Sequence, residues 1–239
     1  MKYAIVTGGT KGIGLGIAQM LLQEGYFVTI TYAHDEDAAT NCKTKLSSLS
    51  NNFEILKINQ SKKEEMKAFA LLMREKPSID CLVLNTGSTL RKSIQETTDE
   101  DWEQVMQINV NSNVFLIRDL FDKISQNSRI IFIGSLMAIH PHGTSLAYGV
   151  SKSAVHALAL NLVKCFEGTG TTVNAIAPGF VETEWQKEKP QEIRNNICNK
   201  TALKRFATIE EIADTVKFCI KNAFVNGSII EISGGYSYK

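Results

Sequence analysis

Short runs of apolar, β-branched residues alternate with longer segments of helical periodicity along the whole chain. The runs predict strands near Tyr3–Thr7, Phe27–Tyr32, Phe53–Ile58, Cys81–Asn85, Arg129–Gly134, Thr172–Ala177 and Ser228–Ile232. The segments between them predict helices at about Ile13–Glu24, Glu36–Leu49, Lys62–Glu75, Asp99–Ile124, Tyr148–Phe166 and Ile209–Lys221. Because strands and helices alternate without a break, the connections are expected to be right-handed crossovers between parallel strands. We therefore expect an α/β fold, a single doubly wound domain whose seven-stranded parallel sheet carries helices on both faces.

One long segment, Phe180–Ala207, lacks strong periodicity and is rich in Lys, Glu and Asn. The chain has 239 residues, a length at which α/β sheets routinely fold as one domain, and no repeat or linker divides it. An irregular stretch of this length is usually a lid or a binding loop, although a solvated surface excursion has the same pattern. We expect one domain over residues 1–239 with a lid at about residues 180–207.

The charge of the chain is almost balanced, with 26 Lys and Arg against 25 Asp and Glu and a formal net charge of +1. Without a positive surplus, neither nucleic acid nor a membrane surface is an expected partner. No apolar stretch approaches the length of a membrane span, and the first strand begins too close to the N-terminus to leave room for a signal segment. The five cysteines are scattered, with no close Cys-x-x-Cys pair of the kind that structural zinc requires. These features predict a cytoplasmic protein without a metal site.

Five glycines fall within nine residues, directly after the first predicted strand and at the entry to the first helix. They are Gly8, Gly9, Gly12, Gly14 and Gly16. Such a turn lets the backbone approach a pyrophosphate closely, while the helix N-terminus offers free N–H groups and the positive end of its dipole. The alternative is that the glycines only permit tight packing of the helix against the strand. Their position, after a strand and before a helix, favours dinucleotide binding.

The glycine pattern Thr7-Gly8-x-x-x-Gly12-x-Gly14 resembles that of the short-chain dehydrogenase/reductase family. A lone Tyr-x-x-x-Lys would arise by chance in about one of two such chains, but here it stands among other family motifs, in the right order over essentially the whole chain. The resemblance implies a Rossmann fold, an NAD(P) cofactor, redox chemistry at CH–OH and C=O groups, and a homotetramer. The further motifs are Asn85-Thr86-Gly87, Ile108-Asn109-Val110, Gly134-Ser135, Tyr148-x-x-x-Lys152, Pro178-Gly179 with Thr183, and Gly234-Gly235.

Tyr148 and Lys152 stand at positions i and i+4, which places both side chains on one face of a predicted helix. A free phenol has a pKa of about 10, and moving it to about 7 takes roughly 4 kcal/mol of phenolate stabilisation. A nearby lysine cation and an oxidised nicotinamide supply charge of the required sign. We therefore predict that Tyr148 is the general acid for carbonyl reduction, that Ser135 polarises the substrate oxygen, and that Lys152 holds the nicotinamide ribose. By resemblance, Asn109 positions a water that relays protons to Lys152.

The end of the second predicted strand indicates which nicotinamide cofactor binds. In this fold a carboxylate there selects NAD, but here Tyr32 is followed by Ala33 and His34, and Lys11 stands where NADP-dependent relatives carry a base. NADP(H) is therefore the expected cofactor, and the acidic run Asp35–Asp37 nearby leaves NAD(H) open. The residues predicted to bind the cofactor are Gly8, Thr10, Lys11, Gly12, Ile13, Gly14, Tyr32, Ala33, His34, Asn59, Asn85, Gly87, Tyr148, Lys152, Pro178, Gly179, Val181 and Thr183.

Within the family, the chain resembles the 3-oxoacyl-carrier-protein reductases through Thr31-Tyr32-Ala33, Arg129-Ile130-Ile131 and Leu203-Lys204-Arg205-Phe206. This resemblance implies a 3-oxoacyl thioester substrate, a place in fatty acid biosynthesis, and an acyl carrier protein as a candidate partner that docks on Arg129. A second docking arginine is absent from Glu167-Gly168-Thr169-Gly170, and the loss of a cationic partner matters for an acidic ligand. Another small ketone or alcohol, such as a steroid, sugar, polyol or quinone, therefore stays open as the substrate.

Two further interpretations complete the expectations. A non-catalytic NADP-binding regulator on the same fold is the alternative from another functional class, although such proteins typically lose the Tyr or the Lys that this chain keeps.

His140 and His142 flank Pro141 between two motifs, so they are candidates for lining the substrate pocket. Polar loop residues are the ordinary alternative for both, and two histidines without a further ligand are not a zinc site.

Overall fold

The computed structural model describes residues 1–140 and 145–236, so that His142 lies outside the described residues. Within them the chain forms one seven-stranded sheet in the order β3-β2-β1-β4-β5-β6-β7, in which every neighbouring pair is parallel. The predicted doubly wound α/β fold is confirmed. The strands are β1 (Lys2–Val6), β2 (Tyr26–Tyr32), β3 (Phe53–Lys57), β4 (Ile79–Leu84), β5 (Ile124–Ile133), β6 (Thr172–Pro178) and β7 (Ser228–Ile232).

Helices connect these strands. They are α1 (Gly12–Gln23), α2 (Glu36–Ser47), α3 (Lys63–Arg74), α4 (Asp99–Met106), α5 (Ser112–Asp119), α6 (Leu146–Leu162), α7 (Glu184–Lys187), α8 (Gln191–Asn199) and α9 (Ile209–Lys221). None of the helices within the described residues is long and apolar enough to cross a membrane.

The strand order reverses beside β1, which pairs with β2 on one side and with β4 on the other. Chain segments leave the two halves of the sheet in opposite directions at this point, and a crevice forms beyond the carboxyl ends of the strands. The glycine-rich turn follows β1, and Asn85 follows β4, so both stand at this crevice.

An apolar layer packs against each face of the sheet. On one face Ile17 of α1 and Val216 of α9 are fully buried against the strands. On the other face Phe69 of α3, Leu116 of α5 and Val155 of α6 fill the second layer. Burial of apolar area on both faces is what makes the strands of a parallel sheet nearly continuous hydrophobic runs.

The single helix predicted over Asp99–Ile124 is wrong in its extent. A π-helical turn, Gln107–Asn111, separates α4 from α5, and β5 already begins at Ile124. Side chains compete for the backbone at this turn, because Asn113 Nδ2 donates to the Asn109 carbonyl at 2.7 Å and Ser112 Oγ donates to the Ile108 carbonyl at 2.8 Å. Such π-turns are frequent at functional sites, and this one carries a residue of the predicted site.

The Phe180–Ala207 segment is more regular than the sequence analysis expects, because it contains α7 and α8. In α8 the side chain of Ile197 is buried, whereas Ile193, one turn earlier, is exposed, so this polar helix buries apolar area at Ile197. The base of the segment is closed by backbone hydrogen bonds from Ala207 N to Phe180 O at 2.9 Å and from Glu182 N to Ala207 O at 2.8 Å.

Candidate active site

The three residues predicted to carry catalysis lie in one cleft at the carboxyl edge of the sheet. Ser135 follows β5, while Tyr148 and Lys152 project from α6 one turn apart. All three line a cavity of about 340 Å³ between the strand ends and the Phe180–Ala207 segment. Their common cleft gives a carbonyl group access to a hydroxyl, a phenol and a cation at the same place.

Lys152 is buried, and its Nζ donates a hydrogen bond to the backbone carbonyl of Ile133 at 2.6 Å. Nζ lies 5.8 Å from the centroid of the Tyr148 ring. Burial lowers the pKa of Lys152 to about 8, so the side chain is still cationic at neutral pH. A cation held this close stabilises the phenolate form of Tyr148 relative to the phenol.

Burial raises the pKa of Tyr148, and a side-chain hydrogen bond with Ser135 opposes this increase. The phenol is therefore protonated at neutral pH, which is the form that a general acid needs. Reaching a pKa nearer neutrality requires additional positive charge in the cleft. Ser135 is thus in contact with the proton donor while its own Oγ accepts a hydrogen bond from Met137 N at 3.1 Å.

His156 is a residue of this site that the sequence analysis missed. Its Nε2 accepts a hydrogen bond from the Ser135 backbone N–H at 3.4 Å. Burial, together with the charge of Lys152, lowers the pKa of His156 to about 4, which keeps the ring neutral and able to accept. The ring needs the glycine at position 134, because a Cβ there would lie 2.1 Å from Nε2. The sequence spacing could have indicated this residue, because His156 stands four residues after Lys152 and therefore lies on the same face of α6.

Asn109 lies in the π-helical turn and is fully buried. Its side chain accepts from Ser88 N at 2.7 Å and donates to Ser88 O at 2.9 Å and to Ser151 Oγ at 2.8 Å. These bonds tie the turn to α6 and to the segment after β4. Asn109 does not line the cleft, and its predicted contact with a water stays a prediction.

The glycine-rich turn has the shape that a dinucleotide requires. Gly8 and Gly12 adopt φ of +61° and +54°, a left-handed backbone that favours glycine. A Cβ on Gly14 would lie 2.5 Å from the Gly8 carbonyl, and no side chain caps the N-terminus of α1. Asn85 Nδ2 donates to the carbonyls of Thr7 and Gly8 at 2.9 Å each, which holds the turn against the end of β4. The bare backbone and the uncapped helix therefore fit a bound pyrophosphate.

Other residues predicted to bind the cofactor lie away from the cleft, just before α1 and at or after the ends of β2 and β3. Lys11 Nζ forms an ion pair with Asp35 at 2.6 Å. His34 Nε2 and Asn59 Nδ2 are 3.3 Å apart, and Tyr32 donates its hydroxyl hydrogen to Glu36 at 2.5 Å.

The structure thus divides the predicted site residues into two groups. The cleft is lined by Ile13, Asn85, Gly87, Ser135, Tyr148, Lys152, Pro178, Gly179, Val181 and Thr183. The others, which do not line it, are Gly8, Thr10, Lys11, Gly12, Gly14, Tyr32, Ala33, His34, Asn59 and Asn109. His140 also lines the cleft, with its ring 6.1 Å from that of Tyr236.

Comparison with known proteins agrees with this geometry. The family model described as short chain dehydrogenase matches residues 2–194. A 3-oxoacyl-acyl-carrier-protein reductase of Rickettsia felis is 31% identical, covering 98% of this chain and 96% of the relative. A 2-dehydro-3-deoxy-D-gluconate 5-dehydrogenase of Pseudoalteromonas atlantica is 29% identical, covering 98% of this chain and 95% of the relative. The solved structure of the angucycline C-6 ketoreductase LanV with bound NADP superposes with a TM-score of 0.92 at 25% identity, covering 100% of this chain and 96% of that one.

The chain therefore belongs to the short-chain dehydrogenase family. It is an NAD(P)-dependent oxidoreductase that acts on CH–OH and C=O groups.

Replacement of Tyr148 by Phe removes the proton donor while keeping the ring. We expect kcat for carbonyl reduction to fall by about 10²- to 10⁴-fold, the usual contribution of a general acid. Oxidation of the reduced cofactor, followed by its absorbance, measures the change, and cofactor binding followed by fluorescence serves as the control. Normal turnover by Tyr148→Phe would show that another group donates the proton.

Replacement of His156 by Leu leaves the buried Ser135 N–H without an acceptor, a loss worth about 1–3 kcal/mol. If His156 acts by positioning Ser135, kcat falls by about tenfold with unchanged cofactor KM, and His156→Gln partly restores it because an amide oxygen accepts the same hydrogen bond. In a Ser135→Ala background, His156→Leu should have little further effect, which a double-mutant cycle measures. Fully additive losses would mean that His156 acts independently of Ser135.

Proposed function

We propose that the protein reduces a ketone to a secondary alcohol with NADPH as the cofactor. The observation that carries this proposal is the shared cleft, in which Ser135, Tyr148 and Lys152 face one space beside the glycine-rich turn. When bound, the nicotinamide cofactor supplies the hydride. The protein supplies orientation, the proton and the electrostatic environment.

Each side chain has a separate task in this proposal. The Ser135 hydroxyl donates a hydrogen bond to the substrate carbonyl oxygen and polarises it. The Tyr148 hydroxyl gives its proton to the same oxygen as the alcohol forms. Lys152 holds the nicotinamide ribose, and its charge stabilises the phenolate that Tyr148 becomes. The neutral ring of His156 keeps the backbone of Ser135 in place.

Two features support NADP(H) over NAD(H). Lys11 stands where the adenosine end of the cofactor would bind, and the last residue of β2 is not a carboxylate. The partner of Lys11, Asp35, opposes this preference, but the two side chains are 64% and 43% exposed. An ion pair this exposed contributes little, so a 2′-phosphate with two negative charges can replace Asp35 as the partner of Lys11. The bound NADP in LanV supports the same choice.

The substrate that we propose first is a 3-oxoacyl thioester, supported by similarity to the Rickettsia felis reductase. The similarity to the gluconate dehydrogenase favours a sugar-acid ketone as the second candidate. Docking of an acyl carrier protein on Arg129 gains no support from the geometry. The guanidinium donates to the carbonyls of Asn127 at 2.7 Å, Ser128 at 2.8 Å and Ile220 at 3.1 Å, at the amino edge of the sheet and away from the cleft.

The segment Phe180–Ala207 acts as a lid in this proposal. Its base is closed by the paired backbones of Phe180 and Ala207, while Thr183, Gln186 and Lys189 reach the cleft. A segment with a fixed base and cleft-lining residues can exclude water during reduction. Assembly into a homotetramer, which the family resemblance implies, remains a prediction.

An NADPH-oxidation assay over acetoacetyl thioesters, steroid ketones, sugars and quinones tests the function. We expect turnover with at least one ketone and its loss in Ser135→Ala. Binding of NADPH without turnover of any of these compounds would favour a non-catalytic regulator.

Replacement of Asp35 by Asn tests the cofactor preference. Removal of the carboxylate makes Lys11 more available to the 2′-phosphate, so KM for NADPH should fall by about three- to tenfold while KM for NADH is unchanged. Asp37→Asn removes the same charge from the exposed first turn of the same helix and is the matched control. A preference for NADH in the wild-type protein, or an equal effect of both variants, would contradict the assignment.

A further inference from the structure

The Gly234-Gly235 motif after β7 has no part in the proposed mechanism, but it positions a side chain in the catalytic cleft. Both glycines have left-handed backbone, with φ of +63° and +71°, a conformation that favours glycine. Two such residues in succession turn the chain after β7 ends at Ile232. The residue that follows this turn, Tyr236, lines the cleft.

Main-chain hydrogen bonds hold the segment that carries Tyr236. Ala202 N donates to Gly235 O at 3.1 Å, which joins the segment to the chain just after α8. Leu203 N donates to Gly234 O, also at 3.1 Å. The backbone on which the Tyr236 ring stands is therefore fixed by bonds that a substitution of the side chain leaves in place.

The Tyr236 ring contacts aromatic side chains from two other parts of the cleft. Its centroid lies 5.8 Å from that of Phe180, at the start of the segment that ends at Ala207. It lies 6.1 Å from that of His140, which follows β5. Both separations are in the range of favourable aromatic pairs. Tyr236 thus joins two walls of the cleft by ring contacts.

A second cavity, of about 470 Å³, adjoins the cleft. Ser135, Tyr148 and Lys152 do not line it, and neither does the glycine-rich turn, so it lies beyond the reacting groups. The described residues that line both cavities are Arg91, Met137, Ser145, Phe180, Lys189 and Tyr236. The Tyr236 ring therefore stands at the junction between the space for the carbonyl and a further space.

Apolar side chains of α8 and of the residue before it line part of this second cavity. They are Pro190, Ile193 and Ile197. Ile193 is 48% exposed, an unusual position for a large apolar side chain unless a ligand covers it. Glu188 and Lys200 are among the polar residues that line the rest of the cavity. A mainly apolar wall with a few polar groups is typical of a pocket for a small molecule.

We propose that Tyr236 determines which ketones are reduced, by binding an apolar substituent of several carbons that extends past its ring into the second cavity. Ser135 and Tyr148 bind the carbonyl of the same molecule. This inference rests on the proposed ketone reduction and specifies its substrate class. A rigid aromatic ring offers a large contact area to such a substituent, whereas a small polar ketone leaves the apolar wall in contact with water.

Three methyl ketones with one reacting group test the substrate class. Butan-2-one has a short apolar substituent, octan-2-one a long one, and 5-oxohexanoate a substituent about as long that ends in a carboxylate. We expect kcat/KM to rise from butan-2-one to octan-2-one by up to about fourfold for each methylene group buried, and to be lower for 5-oxohexanoate than for octan-2-one. Equal values for the two neutral ketones, or faster reduction of 5-oxohexanoate, would overturn the proposal.

Substitution of Tyr236 tests its part in this preference. In Tyr236→Ala the ratio of kcat/KM for octan-2-one to that for butan-2-one should fall by about tenfold, mainly through KM for octan-2-one. Tyr236→Phe keeps the ring and should keep the ratio. Phe224→Ala is the matched control, because this ring is 98% exposed and lines neither cavity. An unchanged ratio in Tyr236→Ala, or an equal fall in Tyr236→Phe, would show that the ring does not bind the substituent.

A second variant tests the second cavity without changing the aromatic contacts. Ile193→Ser alters an exposed side chain of α8, so the fold is expected to tolerate it. The ratio of the two kcat/KM values should fall by about three- to fivefold, because the end of the octan-2-one chain loses apolar contact. An unchanged ratio in Ile193→Ser would mean that the substituent does not enter the second cavity.

A binding measurement separates this inference from the proposed function. N-Hexylacetamide and N-ethylacetamide present a carbonyl that is not reduced, and calorimetric titration of the NADPH-loaded protein compares their affinities. Tighter binding of the hexyl compound, lost in Tyr236→Ala, supports the role of Tyr236 even if no ketone is reduced. Reduction of ketones, combined with equal binding or no binding of the two amides, would leave the proposed function intact and refute the role of Tyr236.

Discussion

The pairing of β1 with both β2 and β4 is the constraint on which the rest of the structure depends. It places the reversal of strand order at the centre of the sheet, so the segments after β1 and β4 diverge and leave a crevice between them. Asn85 then joins the end of β4 to the glycine-rich turn through two backbone carbonyls. Apolar burial on both faces of the sheet fixes this edge, so the crevice keeps its shape without side chains filling it.

Chemistry at this edge depends on a cation that the fold keeps out of water. Lys152 is buried against the Ile133 carbonyl, and this burial brings its pKa to about 8. Burial raises the pKa of Tyr148 in the same cleft, so the phenol is protonated at neutral pH. Burial thus lowers the pKa of the Lys152 amine and raises the pKa of the Tyr148 phenol. The pair therefore contains an acid, Tyr148, and a cation, Lys152, that stabilises the phenolate formed when Tyr148 gives up its proton.

Much of this arrangement could be predicted from sequence, because its signals are local. Strand–helix alternation, the turn at Gly8 to Gly14 and the spacing of Tyr148 and Lys152 each lie within a few residues. The π-helical turn could not be predicted, since it depends on side chains of Ser112 and Asn113 competing for carbonyl groups. The spacing of His156 from Lys152 indicates that both lie on one face of α6, but the hydrogen bond from the Ser135 N–H to His156 depends on contact between α6 and the end of β5. Such contacts exist only once the chain has folded.

The central claim is that this cleft transfers a hydride to a ketone and that the protein protonates the resulting oxygen. A single-turnover reaction with NADPH fully deuterated at the nicotinamide C4 tests it directly, with the alcohol product analysed by mass spectrometry. The account predicts one deuterium at the former carbonyl carbon and an exchangeable hydrogen on its oxygen. Cofactor binding with no deuterium transferred to any of the ketones would contradict it.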